Sequence, residues 1–274
     1  MSRVTAADLR RRLERGERIT LLDVRYHLAE PGLGEREYLE GHLPGAAFVD
    51  LDADLAAPHT GPGGRHPLPT AAPFGEAMRR AGVRAGMPVV VYDQRTSLAA
   101  GRAWWMLRNA GHEQVAVLDG GYAAWVGDGG TTEQGRVHVD AGDFRPGPDQ
   151  LPRVTADLIP DLVASGHRIA DVRAPERFRG DTEPIDPVAG HIPGAVNLPA
   201  AGLFTDEGTL LPVAVLRERL AGLGPGDAVS CGSGVTAAQV LWALDVAGIT
   251  GVALYAGSWS DWISDPSRPV ARGA

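Results

Sequence analysis

The sequence of 274 residues contains no lysine and one cysteine. All 26 basic residues are therefore arginine, which excludes a Schiff-base lysine, the lysine that anchors pyridoxal phosphate and the lysine of a P-loop. A single cysteine excludes an internal disulfide and favours a reducing, cytoplasmic location. No apolar run reaches the roughly 18 residues that a membrane helix needs.

The charge balance is acidic, with a formal net charge of -8 at pH 7. Nucleic acid and anionic membranes are therefore not expected as main partners. The first residues, "MSRVTAADLRRRLERG", are typical of an N-capped amphipathic helix and not of a signal peptide, because no apolar segment follows the arginines. A composition that is 44% hydrophobic and 22% charged indicates a globular protein of about two domains.

The two halves of the chain repeat the same segments in the same order. The first-half segments are "LLDVRYHL" (21–28), "GHLPGAAFVDL" (41–51) and "MPVVVYD" (87–93), and they return as "IADVRAPE" (169–176), "GHIPGAVNLPA" (190–200) and "GDAVSC" (226–231). Between the halves lies a stretch rich in glycine, proline and charge. We therefore predict an N-terminal domain over residues 1–128, a linker over 129–153 and a C-terminal domain over 154–274.

Each half alternates short apolar runs with helical patterns, which predicts an α/β fold with mostly parallel sheets flanked by helices on both faces. In the second half, "RIADV", "AVNL", "DAVS" and "VALY" are typical of buried strands. "AAQVLWALDVAG" predicts a helix with one apolar face that ends at Gly248. Ligands of such folds bind beyond the carboxyl ends of the strands. Cys231 follows "DAVS" at such an end.

The loop after Cys231 is built to bind an anion. Glycines in the stretch Gly232, Ser233, Gly234, Val235 and Thr236 expose backbone N–H groups before a helix that we expect to begin near Ala237. The first helical N–H groups and the helix dipole also favour negative charge there. A free thiol is mostly protonated at pH 7, so a nucleophilic thiolate needs such stabilisation. The alternative is an inert, buried cysteine.

"CGSGVTA", with "GHIPGAVN" upstream, resembles the two-domain rhodanese-type sulfurtransferases, and the similarity extends over nearly the whole chain. The resemblance implies tandem rhodanese-like domains, no metal and no organic cofactor. It also implies that Cys231 is the sulfur-accepting nucleophile and that the loop from Gly232 to Thr236 binds the persulfide. Asp93 lies where Cys231 lies in the second half, which implies a catalytically silent N-terminal domain.

The donor is less clearly indicated. The loop is similar to the mercaptopyruvate branch, which reads Cys-Gly-Ser/Thr-Gly-Val-Thr, whereas the thiosulfate branch typically carries basic residues there. Arg177, in "APERFRGDTEP", matches a substrate-binding arginine of relatives, and guanidinium binds oxyanions in a bidentate fashion. Mercaptopyruvate-type relatives have a second arginine nine residues later, where this chain has Asp186. Arg179 is a candidate to compensate, and both donors stay open.

Relatives of the mercaptopyruvate type also imply a proton relay. In them the loop serine, here Ser233, works with a histidine that His42 matches and with an acid for which Glu35 is a candidate. Tyr26 resembles an aromatic residue that faces the active loop. The competing interpretation is structural: His42 and His191 both begin an H-x-P-G-A turn, where each would bond local backbone.

Two further patterns favour structural roles. The DVR motifs at 23–25 and 171–173 predict buried ion pairs between their aspartates and arginines. His59 and His66, in "PHTGPGGRHP", have no Cys, Asp or Glu at ligand spacing, so no metal site is predicted.

We therefore expect a sulfurtransferase without a cofactor. It would take a sulfur from a small anionic donor, 3-mercaptopyruvate or thiosulfate, through a Cys231 persulfide to thioredoxin, a small thiol or cyanide. The non-enzymatic alternative is a persulfide carrier that delivers sulfur to a partner protein. A phosphatase of related fold needs Cys-x5-Arg, and the sixth position after Cys231 is Ala237.

Overall fold

The computed structural model describes residues 2–59, 61 and 63–274. The chain forms two compact units. The N-terminal unit comprises Met1–Ala57, Pro69–Gln150 and Thr205–Leu210, and the C-terminal unit comprises Pro58–Leu68, Leu151–Phe204 and Leu211–Ala274. Each unit thus contains a short segment from the opposite half of the sequence.

The N-terminal unit is built on a five-stranded parallel sheet with the order β1-β5-β4-β2-β3. The strands are β1 (Arg3–Val4), β2 (Thr20–Asp23), β3 (Ala47–Phe48), β4 (Val89–Tyr92) and β5 (Val115–Leu118). The helices are α1 (Ala6–Glu14), α2 (Leu33–Glu40), α3 (Leu51–Asp54), α4 (Ala71–Arg80), α5 (Leu98–Asn109) and α6 (Gly121–Gly127). Leu9, Leu21, Val90 and Trp125 belong to one buried cluster of this unit.

The C-terminal unit repeats this plan on a four-stranded parallel sheet with the order β7-β6-β8-β9. Its strands are β6 (Ile169–Asp171), β7 (Ala195–Asn197), β8 (Ala228–Ser230) and β9 (Ala253–Leu254). Its helices are α7 (Ile159–Ala164), α8 (Pro175–Arg179), α9 (Val213–Leu220), α10 (Val235–Ala247) and α11 (Ser258–Trp262), with 3₁₀ turns at Ala156–Leu158 and Ala200–Leu203. The predicted fold class is confirmed.

Helix α10 carries the candidate loop at its N-terminus. It begins at Val235, two residues before the predicted start, and ends before Gly248, whose φ of 79° is the left-handed conformation expected of a terminating glycine. The sequence predicts that α10 has one apolar face, but the helix is buried on nearly every side. Its alanine, valine, leucine and tryptophan content explains this, since a helix that is apolar all round is a core helix.

The two DVR motifs form the predicted buried ion pairs. The guanidinium group of Arg25 donates to Asp23 at 2.7 Å and to the carbonyl of Gly41 at 2.6 Å. Arg173 donates to Asp171 and to the carbonyl of Gly190, both at 2.7 Å. Each pair therefore ties a strand end to the residue before an H-x-P-G-A turn.

The histidines of those turns bond backbone carbonyl groups, that of His42 four residues away, as the structural interpretation predicts, and that of His191 thirteen residues away. Nδ1 of His42 lies 2.8 Å from the carbonyl oxygen of Tyr38, on whose ring the imidazole stacks with the centroids 4.1 Å apart. Nδ1 of His191 lies 2.8 Å from the carbonyl oxygen of Phe178, with the rings 3.8 Å apart. The repeat therefore extends to the environment of single side chains.

Helices in the described part of the chain are all too short or too polar to cross a lipid bilayer.

Candidate active site

Cys231 lies between β8 and α10, at the carboxyl end of a central strand of the sheet. Its sulfur accepts the backbone N–H of Gly234 at 3.1 Å. Gly234 is the N-cap of α10, with φ at 83°, and a Cβ atom there would lie 2.2 Å from the carbonyl oxygen of Ala256. Only glycine fits this turn, which places the sulfur at the positive end of a 13-residue helix.

The backbone of Cys231 is fixed by residues at the start of α11. Its N–H donates to Oγ of Ser258 at 3.0 Å, and this hydroxyl donates in turn to the carbonyl of Tyr255 at 2.8 Å. The N–H of Trp259 donates to the Cys231 carbonyl at 3.0 Å. Ser258 has a φ of 54°, which is strained for a residue with a side chain. Nothing in the sequence pattern pointed to this serine, because a positive φ at a non-glycine residue leaves no local signal.

Ser233 is paired with a histidine from the first half of the sequence. Nδ1 of His66 lies 2.7 Å from Oγ of Ser233, although the two residues are 167 positions apart. The exposed fractions are 6% for His66, 7% for Ser233 and 2% for Cys231, so all three are shielded from bulk water. His66 belongs to the segment Pro58–Leu68, which is part of the C-terminal unit. The histidine beside the loop serine is thus His66, which the sequence pattern offers only as a metal-ligand candidate.

Two guanidinium groups approach the loop at Gly232. A Cβ atom built on Gly232 would lie 3.1 Å from Nη2 of Arg65 and 3.7 Å from Nη2 of Arg177. Arg177 also donates to Glu183 at 2.6 Å and to Asp186 at 3.3 Å, and Arg65 forms an ion pair with Asp186. Arg177 was predicted at the site, whereas Arg65 was not.

Arg179, the candidate to compensate for the missing second arginine, donates to Asp181 at 2.8 Å on the exposed surface. Its guanidinium group is therefore already engaged with a neighbouring carboxylate. Asp186, at the position of that missing arginine, is instead a buried anchor for Arg65.

The two buried carboxylates beside Arg177 respond differently to their surroundings. Burial by itself raises the pKa of Glu183, but the hydrogen bonds from Arg177 and from the backbone N–H groups of Ile185 and Asp186 outweigh it, so the pKa is lowered. Burial raises the pKa of Asp186, and the charge of Arg65 only partly opposes this shift. Glu183 is therefore the firmly ionised partner of Arg177.

The other candidates belong to the N-terminal unit. His42 is fully buried against Tyr38, Glu35 pairs with Arg136 at the surface, and Tyr26 is half-buried with its hydroxyl bonded to Asp52. Among the described residues, no group of three or more histidines, cysteines or carboxylates could hold a metal ion.

Asp93 follows β4, as Cys231 follows β8. Its carboxylate accepts four backbone N–H groups, from Arg95 at 3.1 Å, Ser97 at 2.9 Å, Ala99 at 3.0 Å and Ala100 at 3.3 Å. Burial raises the pKa of Asp93, and these four amides oppose the shift. The loop of the N-terminal unit thus binds a carboxylate of its own.

The chain is similar to several known proteins. A family model described as a rhodanese-like domain matches residues 5–128 and 155–265. The chain is 46% identical to a putative thiosulfate sulfurtransferase, SseB, of Mycobacterium tuberculosis strain H37Rv, over 98% of this chain and 96% of that protein. It is 44% identical to a probable 3-mercaptopyruvate sulfurtransferase of Pseudomonas aeruginosa, over 98% of both chains.

Solved structures give the same result. The 3-mercaptopyruvate sulfurtransferase SseA from Escherichia coli matches with a TM-score of 0.79 and 37% identity, over 95% of this chain and 100% of that chain. The 3-mercaptopyruvate sulfurtransferase from Leishmania major matches with a TM-score of 0.83 and 27% identity, over 94% of this chain and 73% of that chain.

Proposed function

We infer that this chain, which belongs to the rhodanese family through both of its domains, is a sulfurtransferase. It transfers a sulfane sulfur from 3-mercaptopyruvate or thiosulfate, through a persulfide on Cys231, to a thiol or cyanide acceptor. Of the two donors we propose 3-mercaptopyruvate as the preferred one. The observation that carries this choice is the contact between His66 and Ser233, two residues beyond the nucleophile.

The first half-reaction breaks a carbon–sulfur bond. The Cys231 thiolate attacks the sulfur of 3-mercaptopyruvate, a sulfur–sulfur bond forms, and the electron pair of the carbon–sulfur bond leaves on the methylene carbon of pyruvate as its enolate. The donor thiol loses its proton and the enolate carbon gains one. The products are therefore a persulfide anion on Cys231 and pyruvate, with no net proton consumed.

Ser233 and His66 are suited to move that proton. A hydroxyl group 2.7 Å from an imidazole nitrogen can accept a proton on one side and donate one on the other. Both groups are buried, so the transfer is protected from bulk water. Thiosulfate needs no such relay, because its leaving group, sulfite, departs as an anion that does not have to be protonated.

The loop stabilises the anion before and after transfer. The Gly234 N–H, 3.1 Å from Sγ, and the first N–H groups of α10, which have no partner within the helix, favour negative charge at the thiolate and at the outer persulfide sulfur. In the second half-reaction a thiolate or cyanide attacks the outer sulfur and Cys231 leaves as the thiolate. Cyanide yields thiocyanate, whereas a dithiol such as reduced thioredoxin yields its disulfide and hydrogen sulfide.

The test compares donors in matched variants. We expect Ser233→Ala to lower kcat with 3-mercaptopyruvate by about 10²-fold and to change kcat with thiosulfate by less than about 3-fold, since only the first donor needs proton transfer. Ser230→Ala is the matched control, because the Ser230 hydroxyl is buried without a partner among the described residues. Equal losses with both donors would contradict the proposed relay.

The sulfurtransferase itself is tested by mass spectrometry of the intact protein after donor treatment without acceptor. Cys231 should gain one sulfur atom, and repeated turnover with a small thiol should separate an enzyme from a persulfide carrier. A protein whose mass does not change would exclude the persulfide route. We further propose thioredoxin or a small thiol as the acceptor and the cytoplasm as the location, since a free cysteine thiol suits a reducing compartment.

A further inference from the structure

Helix α11 lies against the loop that carries the nucleophile. The N–H of Trp259 donates to the Cys231 carbonyl at 3.0 Å, and the N–H of Ser260 donates to the Gly232 carbonyl at 2.9 Å. Oγ of Ser258 accepts the Cys231 N–H at 3.0 Å. The start of α11 therefore fixes the backbone of Cys231 and of the residue that follows it.

The same helix also holds the segment that carries His66. The carboxylate of Asp261 accepts the Gly63 N–H at 2.7 Å through Oδ1, and Oγ of Ser260 accepts the Arg65 N–H at 3.1 Å. Two backbone groups just before His66 are thus bonded to neighbouring side chains of α11.

Gly64, between those two groups, packs directly on the start of α11. Its φ is 78°, and a Cβ atom there would collide with the carbonyl oxygen of Gly257 and lie 2.6 Å from Oγ of Ser260. The segment and the helix are therefore so close that a shift of one must move the other. Two residues later, His66 lies 2.7 Å from the hydroxyl of Ser233.

The carboxylate of Asp261 is itself held at both oxygens. Its Oδ2 accepts the hydroxyl of Tyr255 at 2.7 Å, while Oδ1 accepts the Gly63 N–H. Both side chains are buried. Burial and the hydrogen bond to Asp261 raise the pKa of Tyr255, so its hydroxyl stays protonated and donates to the carboxylate. A buried polar group with every partner in place has a fixed orientation.

The N-terminal domain has the same helix without these side chains. Helix α6 bonds the loop of Asp93 through its backbone in the same way, since the N–H of Ala123 donates to the Gln94 carbonyl at 3.0 Å. The sequence "SWSDW" of α11 corresponds to "GYAAW" at the start of α6. The polar positions Ser258, Ser260 and Asp261 are thus occupied there by Gly121, Ala123 and Ala124. The polar side chains occur only in the domain that contains the nucleophile.

We propose that Asp261 is a positioning residue for the proton relay: its carboxylate, oriented by Tyr255, holds the Gly63 N–H and thereby sets the distance between His66 and Ser233. Helix α11 then aligns the nucleophile and the relay with each other. This inference rests on the proposed function, in which the relay serves 3-mercaptopyruvate and not thiosulfate. A misplacement of about 1 Å in such a geometry costs up to about 10²-fold in rate.

The decisive variant is Asp261→Ala. We expect kcat with 3-mercaptopyruvate to fall about 10-fold to 100-fold and kcat with thiosulfate to change by less than about 3-fold, because only the first donor needs the relay. Asp261→Asn should recover most of the loss, since the amide oxygen can accept the Gly63 N–H and the amide nitrogen can donate to the Tyr255 hydroxyl. Equal losses with the two donors would overturn the positioning role.

Asp227→Ala is the matched control. Asp227 is also a buried carboxylate of the C-terminal unit that accepts backbone N–H groups, those of Arg168 at 2.7 Å and Gly224 at 2.8 Å, but it lies at the end of β8 opposite to Cys231. Its loss should lower the melting temperature and leave kcat with both donors within about 3-fold of wild type. If Asp227→Ala lowers kcat with 3-mercaptopyruvate as much as Asp261→Ala does, the effect is one of stability and the role of Asp261 is refuted.

A second readout uses the His66→Ala background. Adding Asp261→Ala there should lower kcat with 3-mercaptopyruvate by less than about 2-fold, because two residues that act through one step are not additive. Losses that multiply would show that Asp261 acts independently of His66. The proposed function is judged by Ser233→Ala: equal losses with both donors would remove the relay and with it the role of Asp261. If Ser233→Ala distinguishes the donors and Asp261→Ala does not, only the role of Asp261 fails.

Discussion

Both domains place a hydrogen-bond acceptor at the start of the loop that joins a central strand to the next helix, but the two acceptors differ. In the N-terminal domain Asp93 fills the loop with a carboxylate that accepts four backbone N–H groups. In the C-terminal domain the sulfur of Cys231 accepts one backbone N–H among the described residues, that of Gly234. The Asp93 carboxylate therefore occupies four backbone donors of its loop, whereas the Cys231 sulfur occupies one among the described residues.

The backbone at the end of the central strand is held in the same way in the two units. The N–H of Tyr122 donates to the Asp93 carbonyl at 2.8 Å, and the N–H of Trp259 donates to the Cys231 carbonyl at 3.0 Å. The preceding residues, Gly121 and Ser258, have φ values of 59° and 54°. Only the second can provide a hydroxyl, which binds the Cys231 N–H. The two loops thus differ in a few side chains on a shared scaffold.

The largest effect should come from replacing Cys231. We expect Cys231→Ser to reduce turnover by at least about 10³-fold, because a serine hydroxyl cannot carry a persulfide. Asp93→Asn in the other loop is the control and should change kcat by less than about 3-fold, since it only alters a structural carboxyl. Steady-state assays with 3-mercaptopyruvate measure both, and comparable losses in the two variants would end the distinction between the domains.

The second effect is on stability. Asp93→Ala should lower the free energy of unfolding by about 3 kcal/mol, because four buried N–H groups lose their acceptor. Asp93→Asn keeps one oxygen and should cost about 1–2 kcal/mol. Urea titrations followed by tryptophan fluorescence measure both losses. If the alanine variant is as stable as wild type, the loop does not depend on an internal anion.

Substitutions at the N-caps of α10 and α5 should change the stability in opposite directions. Gly234→Ala should cost about 2–3 kcal/mol and impair turnover, since it puts a side chain at φ 83° against the Ala256 carbonyl. Its counterpart Ser97 has a φ of 62° and a buried hydroxyl without a partner among the described residues. Ser97→Gly should therefore leave stability unchanged or raise it by up to about 1 kcal/mol. The melting temperatures of the two variants check this, and losses of similar size would contradict it.

The smallest effect is a difference in pH dependence. The pKa of Asp93 is raised by burial, so its protonation stabilises the fold below about pH 4, and this contribution is lost as pH rises through the folded value. The pKa of Glu183 is lowered because its hydrogen bonds, chiefly from Arg177, outweigh burial, so its contribution is present above about pH 4.5 and is lost as pH falls.

Urea midpoints between about pH 3 and pH 6 should therefore show the difference between wild type and Asp93→Asn shrinking with rising pH. The difference between wild type and Glu183→Gln should grow over the same range. Slopes of the same sign would show that burial, and not the arginine cluster, controls both carboxylates.

The sequence predicts those features of the fold and the site that depend on a local pattern of residues. The repeated segments, the strand before Cys231, helix α10 and its end at Gly248 all follow from periodicity and glycine placement, and the DVR ion pairs follow from the repeat. Arg65 and His66 could not be predicted as partners of the loop. They lie in a glycine- and proline-rich segment without periodicity, and more than 160 residues separate His66 from Ser233. His42 matched the expected motif, but motif similarity carries no information about which distant histidine reaches the serine.

The segment Pro58–Leu68 has a practical consequence. A shortened chain that starts at residue 154 would retain the nucleophile and the whole strand order of its sheet, yet it would lack the imidazole and one of the two cations that line the loop. The second repeat alone therefore does not contain all the residues that line the loop. Transfer of this activity to a single module would require the eleven-residue stretch from the first half of the sequence along with it.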